Sequence, residues 1–202
     1  MGSKKPANPI KDKRMVLNIQ EYLKEKSVRN YVLFVLGVAT GYRAGDLVKL
    51  QVRDVRNAID EGYFLIMESK KEKTKNIRKK NKKPRKAPIV PNLERVLKSY
   101  IRDKKDYEYM FPSRQKSVTP HIGVERVTVI LKEAGRYFGL KHITAHSMRK
   151  TYARTIYEES GFDIIRVKEM LGHSSIEETK AYLGLNEEQY QEYSMFLNDL
   201  IG

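Results

Sequence analysis

The segment Val28–Thr40, VRNYVLFVLGVAT, constrains the fold more than any other part of the chain. Its apolar residues are not confined to one stripe, and Arg29 is its only charge. A helix that is apolar nearly all round has to be enclosed by other elements. The richest run within it, Tyr31–Ala39, is too short to span a bilayer, so the enclosure is protein rather than lipid. A chain of 202 residues can supply that enclosure as one domain with a substantial core.

The surroundings read as mainly helical with a small antiparallel β-sheet, an α+β chain. Leu17–Lys26 is expected as a helix before the central one, and Ala44–Leu50 as a helical continuation after Gly41. The period then changes: Tyr63–Met67 reads as a strand and Ala87–Val90 as its partner, with Pro88 suited to an edge. Asn92 is a candidate cap for a helix to about Tyr100, and Met110–Ser113 reads as a turn. Helices are expected over Val124–Phe138 and Thr144–Ser160. Asp163 caps another that ends at Gly172, and a Ser175–Glu178 capping box starts the last before Tyr182. An amphipathic stretch, Glu187–Ile201, closes the chain with Tyr190, Tyr193, Leu197 and Leu200 on one face.

Charge narrows the function. A net charge of +15 and a pI near 9.8 point to a polyanionic partner. Between Met67 and Lys86 the chain carries Lys70, Lys71, Lys73, Lys75, Arg78, Lys79, Lys80, Lys82, Lys83, Arg85 and Lys86, against only Glu68 and Glu72. This run reads either as nucleic-acid contact or as a solvated loop. Beyond Ile176 the balance reverses, with Glu177, Glu178, Glu187, Glu188, Glu192 and Asp199 facing a single Lys180. A basic body touching DNA and an acidic tail touching protein fit this asymmetry. Cysteine is absent, which excludes disulfides and Cys-based metal sites, and no secretory signal opens the chain. A cytoplasmic, nucleoid-associated protein with no membrane partner is expected.

The chemistry sits in two segments. In Thr144-Ala-His-Ser-Met-Arg-Lys-Thr-Tyr152, His146 and Arg149 share a helix face near the N-terminus, where backbone N–H groups favour an anion. Met148, Tyr152 and Ile156 form the apolar stripe beside them. In Leu171-Gly-His-Ser-Ser-Ile-Glu-Glu-Thr-Lys-Ala-Tyr182, the chain breaks a helix at Gly172, exposes His173 and restarts toward Tyr182. An imidazole and a guanidinium suit a phosphate, and a phenol whose proton is withdrawn can attack one. His142 and His146 are four apart, but no Asp or Glu completes a metal pair.

Taken with Gly41-Tyr-Arg-Ala-Gly-Asp46, these segments resemble the tyrosine recombinase (phage integrase) family in order and spacing, from about residue 14 to the end. The resemblance implies a tyrosine recombinase catalytic-domain fold and cleavage of DNA through a 3′-phosphotyrosyl intermediate, without metal or other cofactor. It implies that Tyr182 is the nucleophile and that Arg43 and Arg149 clamp the non-bridging oxygens. His146 becomes the proton acceptor or orienting group for Tyr182, and His173 a donor to a non-bridging oxygen. The acid for the leaving 5′-oxygen is implied to be a hairpin lysine. Lys73 is the best match, with Lys70, Lys71 and Lys75 as alternatives, in a hairpin longer and more basic than the family pattern. Asp46 takes the place of a supporting carboxylate, as an i, i+3 partner of Arg43.

The expected organisation is a tail or linker at 1–13, a catalytic domain at 14–185 and a C-terminal helix at 186–202, with a core-binding domain absent. That helix can be exchanged between protomers in a tetramer on double-stranded DNA, or dock on its own chain. A type IB topoisomerase would use the same chemistry. A non-catalytic regulator would read Asp163–Leu183 as a helix-turn-helix, although Glu177 and Glu178 suit a DNA groove poorly. A basic structural or ribosome-associated protein would leave the His-Arg-Tyr spacing to coincidence.

Overall fold

The computed structural model describes residues 6–67, 84–114, 120–185 and 198. Helix α1 (Lys13–Lys26) starts earlier than the apolar pattern predicts, because the Asp12 carboxylate accepts from Arg14 N at 2.8 Å and caps it. Among the described residues before α1, Ile10 is buried, and its N–H donates to Thr151 Oγ1 at 2.9 Å.

Helix α2 (Val28–Thr40) is the centre of the fold and buries Val32, Leu33, Phe34, Leu36 and Gly37. It lies against α1 and against two later helices, α5 (Pro91–Ile101) and α7 (Ala145–Glu159). Gly37 sets the closeness to α7, since a Cβ there would come within 2.6 Å of Met148 Sδ. Helix α2 ends at Gly41, which takes the left-handed conformation (φ +63°).

The continuation after Gly41 is shorter than expected. Helix α3 is a single turn, Ala44–Leu47, and a separate helix α4 (Val52–Glu61) follows that the sequence pattern did not predict. Its start was legible in a reciprocal capping box between Gln51 and Asp54, and Val52, Val55 and Ala58 face the core.

Strand β1 (Tyr63–Ile66) pairs antiparallel with β2 (Arg85–Pro88), Phe64 opposite Ala87 and Ile66 opposite Arg85. The partner strand starts two residues before the expected Ala87. The alternation explains the shift: Phe64, Ile66, Arg85 and Ala87 all point inward, so Arg85 occupies a position an apolar side chain would normally fill. Arg85 therefore does not belong to the solvent-facing basic run.

Helix α5 is entered through Pro91 in its first turn with Val90 as cap, so Asn92 lies inside the helix and accepts from Arg95 instead of capping. The chain bends at Met110 and Phe111 as expected, and both side chains are fully buried, with Met110 N donating to Leu50 O at 2.9 Å. Helix α6 (Val124–Tyr137) and α7 agree with their expected extents to within a residue or so.

Helices α8 (Ile164–Leu171) and α9 (Ile176–Leu183) complete the described fold. They share a small second core of Tyr152, Ala153, Val167 and Leu171, against which Ile156, Tyr182 and Leu183 pack. Among the described residues no helix is long and apolar enough to cross a membrane. The Lys-rich run from Lys70 to Lys83, including Lys73, and the expected helix at 186–202 lie outside the described residues apart from Asn198.

Candidate active site

Three helix ends meet where α2 stops, α7 starts and α8 hands over to α9. Thr144 caps α7: its hydroxyl oxygen accepts from His146 N at 3.3 Å, and Thr144 N donates to Ser147 Oγ at 3.0 Å. This cap fixes the turn that carries His146 and Arg149.

Arg149 is 2% exposed. Its Nη1 donates to Gly41 O at 2.7 Å and its Nη2 to Leu171 O at 2.9 Å. One guanidinium thus ties the end of α2 to the end of α8. Burial, the larger effect, lowers its pKa, while Tyr182, Tyr152, Asp46 and Glu178 oppose the shift.

Arg43 lies two residues beyond Gly41 with extended backbone (φ −67°, ψ 138°), just outside α3. The expected i, i+3 relation to Asp46 therefore spans the start of the helix rather than lying within it. Arg43 is the residue before the helix, and its carbonyl accepts from Asp46 N at 2.9 Å. Asp46 still supports the charge on Arg43, which burial and Arg149 otherwise lower.

His173 follows Gly172, the left-handed end of α8. It is buried, and its Nδ1 lies 3.1 Å from Thr179 Oγ1. The Thr179 hydroxyl donates to Ser175 O at 3.2 Å, which leaves its oxygen as the acceptor for Nδ1–H and assigns the tautomer of His173. The other nitrogen, Nε2, faces Glu178 Oε1 at 4.0 Å, and it can donate to a phosphate only when it too carries a proton. The Ser175 hydroxyl accepts from Glu178 N at 3.1 Å, but the box is not reciprocal. Glu178 Oε2 instead accepts from Ser174 N at 3.0 Å and Ser174 Oγ at 3.1 Å.

Tyr182 packs edge-on against His173, with ring centroids 5.2 Å apart at 76°, and Lys150 Nζ lies 5.3 Å from its ring centre. Its hydroxyl is sealed from solvent. Burial pushes its pKa up to about 12, against the pull of Arg149 and then Arg43. The Arg149 guanidinium is close enough to favour the phenolate, yet no contact of hydrogen-bond geometry satisfies the hydroxyl.

His146 stands at the rim, open to solvent along one edge. Its base is set deeply enough that desolvation, followed by Arg149, Arg43 and Lys150, lowers its pKa. It makes no hydrogen bond to Tyr182. Arg43, Arg149, His173 and Tyr182 are therefore gathered, with Asp46 beside the arginines and His146 at the edge. Lys150, Glu178 and Thr179 also touch the site and were not assigned to it from sequence. Lys150 follows Arg149 directly, but a single lysine on a helix gives no signal. Among the described residues no group of three His, Asp or Glu is placed to hold a metal, so His142 and His146 gather no third ligand.

A buried tyrosine packed on one imidazole beside two guanidinia held at helix ends, with a second imidazole at the rim, is the arrangement of a tyrosine recombinase catalytic domain. The phage integrase family model matches residues 11–189, and the chain belongs to that family. It is 32% identical over 182 residues to the probable integrase/recombinase YoeC of Bacillus subtilis, covering 89% of this chain and 91% of the relative. It is 27% identical over 191 residues to the tyrosine recombinase XerA of Pyrococcus furiosus, covering 93% of this chain but 62% of that protein. Among solved structures, a XerA recombinase crystal structure matches all of the chain with a TM-score of 0.65 at 20% identity, over 67% of its own length. The XerH site-specific recombinase in a pre-cleavage complex with its difH substrate matches with a TM-score of 0.64 at 20% identity, covering 96% of this chain and 55% of that one. The fold is that of tyrosine recombinase catalytic domains, mostly helical with a small antiparallel sheet.

Proposed function

We propose that this chain cuts and rejoins double-stranded DNA with Tyr182 as nucleophile. Arg43 and Arg149 bind the non-bridging oxygens of the scissile phosphate, and His173 donates to one of them. His146 accepts the phenol proton. Tyr182 Oη attacks phosphorus, a 3′-phosphotyrosyl bond forms, and the bond to the 5′-oxygen breaks. The leaving oxygen takes a proton from a hairpin lysine, for which Lys73 is the candidate with Lys70, Lys71 and Lys75 as alternatives. Attack by a 5′-hydroxyl reverses the sequence, and because the phosphoester bond is conserved no ATP is required.

The observation that carries this reading is the Tyr182 hydroxyl buried against Arg149 and Arg43 beside His173. The hydroxyl makes no hydrogen bond within the protein. In this reading a phosphate bound by the two arginines brings phosphorus to the Tyr182 hydroxyl, and His146 takes its proton. The Lys70–Lys83 run (Lys70, Lys71, Lys75, Arg78, Lys79, Lys80, Lys82 and Lys83) holds the DNA backbone in this reading. Residues 186–202 mediate self-association, up to a tetramer on DNA. Placement at the nucleoid follows from DNA as substrate.

The test is a nicked duplex suicide substrate carrying a cognate site. Wild-type protein is expected to form an SDS-resistant protein–DNA adduct and Tyr182→Phe none. An adduct that persists in Tyr182→Phe would overturn the assignment.

A further inference from the structure

We infer that Arg85 is a positioning residue for the phosphate clamp, gripping the end of α2 beside Arg149 so that both clamp arginines keep their direction. The proposal rests on the reading of Arg43 and Arg149 given above.

Arg85 comes from β2, far along the chain from either arginine, and is 8% exposed. Its Nη2 donates to Thr40 O at 2.9 Å, and Arg149 Nη1 donates to the next carbonyl, Gly41 O, at 2.7 Å. Two successive carbonyls at the negative end of α2 thus each receive a guanidinium. The turn they fix is Thr40-Gly41-Tyr42-Arg43, with Gly41 left-handed at φ +63°. Held there, the turn sets where Arg43 points and where Arg149 finds its acceptor.

The placement is unfavourable for a residue with no task. Burial, and then the neighbouring Arg149, bring the Arg85 guanidinium down to about 10, with Arg43 adding to the effect and Tyr152 and Tyr42 opposing it. An apolar residue at this inward strand position would avoid both the desolvation and the like-charge repulsion. What it could not do is grip the α2 carbonyl. Arg85 also ties β2, the strand leading out of the Lys-rich connection, to the clamp.

The experiment compares single-turnover adduct formation on two suicide substrates, one with an ordinary scissile phosphodiester and one with a methylphosphonate there. The methyl group removes the negative charge that the clamp neutralises, so faults in the clamp matter less on it. Arg85→Gln is expected to slow the phosphodiester reaction by about ten- to a hundredfold, the scale of a small misplacement at a reacting centre. On the methylphosphonate it should come within about threefold of wild type, and Arg85→Lys should recover part of the phosphodiester rate. Equal slowing on both substrates, or no slowing on either, would overturn the proposal. Arg43→Gln serves as the control: if the methylphosphonate gives it no relief, the clamp reading itself fails, not the role of Arg85. A second readout does not depend on turnover. In 15N-arginine NMR of the DNA-free protein, the guanidinium protons of Arg149 should exchange slowly in wild type and rapidly in Arg85→Gln. Unchanged protection would also overturn the proposal.

Discussion

Replacing Gly41 by alanine tests the joint between the central helix and the catalytic arginines. Two costs can be separated. The left-handed backbone, φ +63°, disfavours any residue with a Cβ by about 1–2 kcal/mol. The Cβ would also lie 2.5 Å from Tyr152 Cδ1 and 2.9 Å from Cε1 and Cγ, well inside carbon contact distance. Tyr152 is buried in the second core, so relief requires displacing a packed ring, an overpacking cost of about 1–3 kcal/mol. The sum is roughly 2–5 kcal/mol. Gly62 is the natural control, because it too is left-handed (φ +76°) but a Cβ there would meet nothing within 4 Å. Gly62→Ala should lose only about 1–2 kcal/mol. For a chain of this size each kcal/mol lowers Tm by about 2–4 °C, so calorimetry resolves the two. The Gly41 carbonyl also receives Arg149, so adduct formation at a temperature where both variants are folded should fall in Gly41→Ala and not in Gly62→Ala. Equal losses of Tm in the two variants would refute the argument that the Tyr152 ring sets the cost, and an unchanged adduct rate in Gly41→Ala would refute the link to Arg149.

Because desolvation and neighbouring cations lower the His146 pKa, its imidazole is the neutral, proton-accepting form above a pH that lies below its ordinary 6.5. The adduct rate at limiting protein should therefore rise with pH through an inflection below 6.5 that is missing in His146→Gln; a rising limb centred above 6.5 would contradict the assignment. Thr179→Val keeps the shape but removes the buried acceptor of His173 Nδ1–H, leaving a donor whose desolvation is worth about 1–3 kcal/mol. Adduct formation should slow by about tenfold or more, while Thr179→Ser retains most of the rate; a fully active valine variant would show that His173 is oriented by something else.

The parts of this protein that the sequence alone determined are those set by neighbours along the chain. The apolar Val28–Thr40 helix, the Asp163 and Ser175 caps, and the glycine stop at 172 each depend on a handful of consecutive residues, and each is found where the pattern places it. The order of Arg43, His146, Arg149, His173 and Tyr182 was legible for the same reason, although their roles come from resemblance and stand as proposals. Even locally, the Gln51–Asp54 box went unread, and helix α4 with it. Tertiary structure decided the rest, since burial and electrostatics are properties of the whole packed chain. Arg85 sits in a basic run that reads as solvent-facing, yet strand pairing turns it inward onto Thr40. The proton of His173 is placed by a threonine six residues away that carries no signal of its own. Tyr182 is a phenol in any reading, but only the packing of α7, α8 and α9 seals its hydroxyl and raises its pKa to about 12. Spacing along a chain can bring the right groups into order; the dielectric around them, and so the proton each one holds, exists only once the helices have closed on one another.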